Sequence, residues 1–283
     1  MKNVVVTGVS TGIGRGTAGV MIGKGWHVFG SVRNEDDGHQ LKKEFGKAFT
    51  PLIFDVQDND AILSASIEVR KCLAGKTLDG LVNNAGSSMP DPLLLQTVED
   101  FRKQIDINLV GMFAVTRAFA PLLGTDQTLI GSKGRIINLS SVAGKTGFPF
   151  MGAFSAAKYG VEGFSEALRR ELQMIGIDVI IIGPGSVNTA TWDKLENTSF
   201  DHVDGTIWDK PFRTFNKWMS ESGRKGYSPE QVGKVIATAL IVSRPHARYT
   251  VLKGRFLNAT LPSLLPSRTI DRILGKKLGL LPK

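Results

Sequence analysis

Short runs of apolar, mostly β-branched residues recur along the chain, separated by longer stretches with helical spacing. That alternation predicts a parallel sheet with covering helices. The strand runs fall at 3–7, 27–32, 50–55, 80–83, 134–139, 178–182 and 248–252. Helical spacing fits 13–24, 36–45, 59–73, 97–122, 154–175 and 229–241. Strands buried on both faces with helices between them predict one open, doubly wound α/β sheet of seven strands in a single domain.

Two stretches break the alternation. Residues 190–226 carry Trp192, Phe200, Trp208, Phe212, Phe215 and Trp218 without a strand pattern and with weak helical order. Their place after a strand end suggests a helical lid over an apolar substrate, as against a satellite helix pair packed on the body. Residues 256–283 form a basic, amphipathic C-terminal tail beyond a 1–255 domain. Leu257, Leu261, Leu264, Leu265, Ile270, Ile273, Leu274, Leu278, Leu280 and Leu281 mix there with five Lys/Arg. A helix docked on the body or a second subunit, or a peripheral membrane contact, fits that mixture.

The 283 residues are 42% apolar and 22% charged, which excludes global disorder and allows a sizeable core. Net charge is +9, and residues 244–283 hold nine Lys/Arg against the single acid Asp271. A basic tail on a nearly neutral body suggests a local anionic partner. No recognition helix or interleaved basic and aromatic strand speaks for nucleic acid. Cys72 is the one cysteine, consistent with a reducing compartment. The apolar run before Thr7 is too short for a signal peptide, and no stretch of about 18 apolar residues is expected to span a bilayer. A cytoplasmic location is the expectation. His27, His39, His202 and His246 are too scattered for a metal site, so no metal is expected.

The chemistry sits at the ends of the strand runs. The first leads into Thr7-Gly8-Val9-Ser10-Thr11-Gly12-Ile13-Gly14 and then a helix. Glycines at 8, 12 and 14 let the backbone turn tightly and approach a pyrophosphate on the helix N-terminus. Asn83-Asn84-Ala85-Gly86 follow the fourth run, Ser140-Ser141 the fifth and Pro184-Gly185 the sixth; Asn108 and Lys158 lie in helical stretches.

With these five motifs in this order, residues 1 to about 255 resemble the short-chain dehydrogenase/reductase family, nearest its hydroxysteroid and retinol dehydrogenase-like members. The resemblance implies a Rossmann-type fold and an oxidoreductase that moves a hydride to or from a nicotinamide cofactor. It implies that Gly8, Gly12 and Gly14, with Ile13, form the dinucleotide turn, with Ser10 and Thr11 near phosphate or ribose. Asp55 and Val56, ending the third strand, would contact adenine. Asn83, Ala85 and Gly86 would support the sheet end and the nicotinamide ribose, and Pro184, Gly185, Val187 and Thr189 would wrap the nicotinamide. Ser141, thirteen residues before position 154, would bind the substrate oxygen, Lys158 the ribose hydroxyls, and Asn108 a water of the proton relay. Members are usually dimers or tetramers through their fourth and fifth helices, so a homo-oligomer is expected.

The second strand ends in Val32-Arg33, where NAD-using relatives place an acid. Arg33 can pair bidentately with a 2′-phosphate, which favours NADP(H) over NAD(H). The family's proton donor is a tyrosine four residues before the lysine, whereas this chain reads Phe154-Ser155-Ala156-Ala157-Lys158. Positions 154 and 158 share a helix face, yet Phe154 has no proton to give. Three readings stay open. The chain is an inactivated form of a reductase for a bulky hydrophobic ketone or alcohol. Or it reduces an iminium carbon, or catalyses a cofactor-assisted cyclisation or rearrangement, with no acid needed. Or it is a non-catalytic NADP(H)-binding sensor or scaffold.

Overall fold

The computed structural model describes residues 1–254 and 265–282. Seven parallel strands form one sheet: β1 (Asn3–Val6), β2 (His27–Val32), β3 (Phe49–Ile53), β4 (Gly80–Asn83), β5 (Arg135–Leu139), β6 (Asp178–Pro184) and β7 (Arg248–Val251). Their order is β3-β2-β1-β4-β5-β6-β7, so the order reverses between β1 and β4. Both halves then send their strand-end loops toward one crevice, the usual ligand position in such sheets. The doubly wound Rossmann-type sheet expected from the sequence is the fold observed.

Val4, Val6, Val28, Ile137, Ile180 and Ile182 face one side of the sheet. There they pack against α1 (Gly12–Gly23) and α9 (Pro229–Ile241). Val5, Leu52, Leu81, Ile136 and Val179 fill the other side, under α3 (Asn59–Leu73) and the segment 98–123. The period-two alternation of each strand therefore feeds two cores, which is why the runs read as continuously apolar. Helix α2 (Glu35–Phe45) is N-capped by Asn34, whose side chain accepts from the Asp37 amide.

Several boundaries move. The third strand stops at Ile53 because the Asp55 carboxylate accepts from the Gln57 amide at 2.9 Å, forming a side-chain turn. Asp55 and Val56 thus lie in the loop beyond the strand. The single helix expected over 97–122 is composite: α4 (Val98–Ile105), a π-helical turn over Asp106–Val110, α5 (Gly111–Phe119) and a 3₁₀ turn over Ala120–Leu123. By length and composition this Val98–Leu123 stretch could cross a bilayer, contrary to the expectation that none could. Here Val115, Phe119, Leu122 and Leu123 are buried in the protein's own core.

Helix α6 (Gly152–Glu171) carries the Phe154/Lys158 face. The region 190–226 is more helical than expected, with α7 (Thr191–Glu196) and a long α8 (Asp209–Arg224). Tail helix α10 (Ser267–Leu278) docks on α8: Leu278 is buried among Phe150, Phe212 and Phe215, and Lys277 Nζ stands 3.9 Å from the Trp218 ring centre. Within the expected tail, Leu257, Leu261, Leu264 and Lys283 lie outside the described residues.

Candidate active site

The turn after β1 is built by its neighbours as much as by its glycines. Gly8 has φ +69°, in the left-handed region that favours glycine. A Cβ on Gly14 would stand 2.1 Å from the Gly8 carbonyl, so only glycine lets α1 begin this close to the strand. The Ser31 hydroxyl accepts from the Gly8 amide at 2.9 Å, and Asn84 Nδ2 donates to the carbonyls of Thr7 (2.8 Å) and Gly8 (3.1 Å). The Thr7 hydroxyl in turn accepts from the amides of Asn84 and Ala85, both at 2.9 Å. Thr11 makes no side-chain cap, and the first turn of α1 holds no acid. Uncapped amides, no opposing charge and close backbone approach all fit a bound pyrophosphate. Across this turn, Thr189 Cγ2 lies 3.4 Å from where a Gly12 Cβ would be.

The end of β5 brings up the second group. The Ser141 hydroxyl accepts from the Ala143 amide at 3.1 Å and donates to the Pro184 carbonyl at 3.4 Å. This ties the β5 loop to the end of β6, where Gly185 N bonds Val251 O at 2.9 Å. Lys158 is buried and donates to the Leu139 carbonyl at 2.9 Å. Burial holds its pKa well below the ordinary lysine value, at about 8. The Phe154 ring, one helical turn away, has its centre 5.5 Å from Lys158 Nζ.

The side chains of Asn83 and Asn108 are both tied into the protein. Asn83 is buried, and its Nδ2 donates to Thr116 Oγ1 (2.8 Å) and Asn138 Oδ1 (2.9 Å). It joins β4, β5 and α5 from beneath the sheet end. Asn108, in the π-helical turn, donates from Nδ2 to the Ser87 and Gln104 carbonyls and accepts the Ser87 amide on Oδ1. One turn earlier, Gln104 makes the same two-point pairing with the backbone of Met89, at 3.1 Å each way. Two buried amides thus hold alternate residues of the loop after Gly86, much as a neighbouring strand would. The Asn108 side chain is committed to that loop.

The sequence of residues 2–199 matches the family model described as short chain dehydrogenase. The chain belongs to the short-chain dehydrogenase family. It is 33% identical over 278 residues to an NADPH-dependent 3-dehydrocapnine reductase of Ornithobacterium rhinotracheale, covering 98% of both chains. It is also 33% identical over 211 residues to a 3-amino-tetrahydro-pyrrolizinone reductase of Xenorhabdus hominickii, covering 74% of this chain and 70% of that one. The fold matches a short-chain dehydrogenase/reductase of Burkholderia phymatum in complex with NAD, with TM-score 0.76 and 21% identity over 96% of this chain and 94% of that one.

In this short-chain dehydrogenase the aromatics of 190–226 pack on each other and on Phe148 and Phe150. Phe212 stacks edge-on against Phe150 at 5.3 Å and against Phe200 at 5.0 Å between ring centres. Trp208, Trp218 and Phe154 border the same cluster, and Trp192 Nε1 donates to the Val187 carbonyl at 2.7 Å. Phe212 and Phe215 are buried in this cluster together with Phe150 and Leu278, while Phe200, Trp208 and Trp218 are partly buried at its edge. Phe150 holds φ +63°, a left-handed value costly for a phenylalanine, while its carbonyl accepts from the Asp91 amide at 2.8 Å.

Arg33 is exposed at the end of β2, whereas Arg15 is engaged by Glu44 at 2.6 Å. Ser10 and Thr11 sit on the open side of the turn, Ile13 packs on the core, and Val56 is nearly buried beside Gly111. Sequence reasoning missed Thr7, Ser31, Asn84 and Gln104. Asn84 was visible within the Asn83-Asn84-Ala85-Gly86 motif, but only the strand register shows which asparagine faces the glycine turn.

Proposed function

We propose that this protein is an NADPH-dependent oxidoreductase built for a bulky hydrophobic ketone or alcohol, and that Phe154 leaves it without its proton donor. The carrying observation is the surroundings of Phe154. Ser141 is fixed between Ala143 and Pro184, Lys158 is buried one turn away, and the glycine turn is pinned by Asn84. On this reading the site lacks only a hydroxyl at position 154.

A bound nicotinamide supplies the hydride or accepts it. Ser141 orients the substrate oxygen through its hydroxyl. Lys158 offers its ammonium to the ribose hydroxyls and favours negative charge nearby. Asn108, in the π-helical turn, carries the relay water on this reading. Exposed Arg33 receives the 2′-phosphate, a choice supported by the NADPH dependence of the 3-dehydrocapnine reductase. Phe101, Phe113 and Tyr159 on α4, α5 and α6, with Val110 in the π-helical turn, leave apolar surface, which suits a homodimer or homotetramer through these helices.

A second reading has its own support. The Phe154 ring packs into the lid cluster, as a settled wall of the site does, and one relative is a 3-amino-tetrahydro-pyrrolizinone reductase. Hydride addition to an iminium carbon gives a neutral amine and needs no acid.

The test is NADPH oxidation by the chain as it stands and by Phe154→Tyr, over apolar ketones and cyclic imines. The main reading expects Phe154→Tyr to gain about 10² to 10⁴ in ketone turnover, the usual contribution of a general acid. Imine turnover by the unaltered chain, with no gain from tyrosine, would establish the second reading. NADPH binding with no turnover by either would point to a sensor or scaffold.

A further inference from the structure

We propose that Arg248, partly buried, and Glu162, buried, form a clamp that positions Ser141 from the last strand of the sheet. The inference rests on Ser141 being the residue that holds the substrate oxygen. Arg248 opens β7, and Glu162 lies one turn beyond Lys158 on α6, 86 residues away in sequence. Arg248 Nε reaches the two Glu162 oxygens at 3.2 and 3.0 Å, and Nη2 reaches Oε1 at 3.1 Å. The same Nη2 donates to the Ser141 carbonyl at 3.4 Å, while Nη1 bonds the Thr250 hydroxyl. The Glu162 side chain is 4% exposed, and Lys145 Nζ approaches it at 3.4 Å. A Cβ on Gly183 would stand 2.4 Å from Nη2, so the guanidinium lies against the β6 backbone, next to Pro184.

Ser141 is therefore held at two points. Its hydroxyl spans Ala143 and Pro184, and its carbonyl takes the Gly144 amide at 3.1 Å and the Arg248 guanidinium. A forked arginine–carboxylate pair has a fixed geometry that a lysine cannot copy. Such a pair, once buried, contributes little net stability against an apolar replacement of similar volume. What it does supply here is a rigid support behind one residue of the site, whose misplacement by about 1 Å can lower a rate a hundredfold. Arg248 and Glu162 are positioning residues on this account.

The test pairs Glu162→Gln with Arg248→Met, so that neither partner leaves an unpaired buried charge. Readouts are the thermal midpoint, NADPH affinity, hydrogen exchange at the Gly144 amide, and kcat and KM. Turnover is read in the unaltered background with cyclic imines and in the Phe154→Tyr background with apolar ketones. The clamp expects a midpoint within about 4 °C of the parent and NADPH affinity within about twofold. It also expects Gly144 exchange faster by at least about tenfold and kcat lower by a similar factor. Unchanged Gly144 protection, or parental kcat in the stable double variant, overturns it. If the double variant does not fold, Arg248→Lys keeps the charge, loses the fork and is judged by the same readouts. If neither background turns over anything, the reading of Ser141 falls, and the exchange measurement alone decides whether the clamp holds the loop.

Discussion

The Lys158 ammonium stands 5.5 Å from the centre of the Phe154 ring and donates its described hydrogen bond, at 2.9 Å, to the Leu139 carbonyl. A buried cation with one carbonyl and one ring face as neighbours is incompletely solvated by the protein. Such an arrangement suits a group meant to meet hydroxyls or a developing negative charge.

That burial has a stability consequence. Desolvation lowers the Lys158 pKa from 10.5 to about 8, so between these values the unfolded chain binds more protons than the folded one. Nucleotide-free protein should therefore gain stability as pH rises from about 8 toward 10.5, and bear the full penalty below 8. Lys158→Met should raise the thermal midpoint at pH 7 while abolishing NADPH-dependent turnover, with the advantage shrinking above pH 8. Melting curves at several pH values check this; equal midpoints for parent and variant at pH 7 would contradict it.

The glycine turn has no room for a methyl group. Gly14→Ala places a Cβ 2.1 Å from Gly8 O and 2.5 Å from Asn84 Nδ2, so both sides of the turn must move. The expected cost is about 1–3 kcal/mol of stability and a loss of NADPH affinity of roughly a hundredfold. Fluorescence titration with NADPH and a urea melt measure the two effects separately.

Arg33 is the cofactor-selecting residue in the proposed function. Arg33→Asp should weaken NADPH binding by about ten- to a hundredfold, the worth of a charge-assisted hydrogen bond, and leave NADH binding equal or improved. The parent's NADPH preference should also shrink as salt is raised, because Arg33 is exposed. Titrations with both nucleotides at low and high salt decide it.

The tail helix docks on the region 190–226. Leu278 is 1% exposed within the aromatic cluster, so Leu278→Ala should cost about 2–5 kcal/mol locally. Loss of α10 from α8 should appear as faster proteolysis in 190–226, with the glycine turn and NADPH binding unaffected. Limited proteolysis followed by mass spectrometry would show it.

Much of the site could be read from spacing. The strand-turn-helix around Gly8 and Gly14 needs only local backbone chemistry, and the four-residue step from Phe154 to Lys158 puts both on one face of any helix. Which of Asn83 and Asn84 turns toward the cofactor side depends on where β4 ends and on its partners, so the motif alone left it open. The packing of Phe212 and Phe215 was not legible for a related reason: composition counts rings but does not say what covers them, and here Phe150 and Leu278 do. The composite 98–123 helix was hidden too, because a π-helical turn leaves the apolar spacing on either side nearly intact.

By itself, then, the sequence determined the alternating strands and helices, the glycine turn, the missing hydroxyl at 154 and the concentration of positive charge in the tail. These follow from periodicity, backbone freedom and side-chain chemistry, all local properties. Tertiary structure alone decided that Asn84 pins the turn, that Gln104 and Asn108 hold the loop after Gly86, and that Arg248 reaches Glu162 and Ser141. Each of these is a directional contact between residues far apart in the chain. Such contacts exist only once the sheet order has brought the carboxyl ends of its strands together.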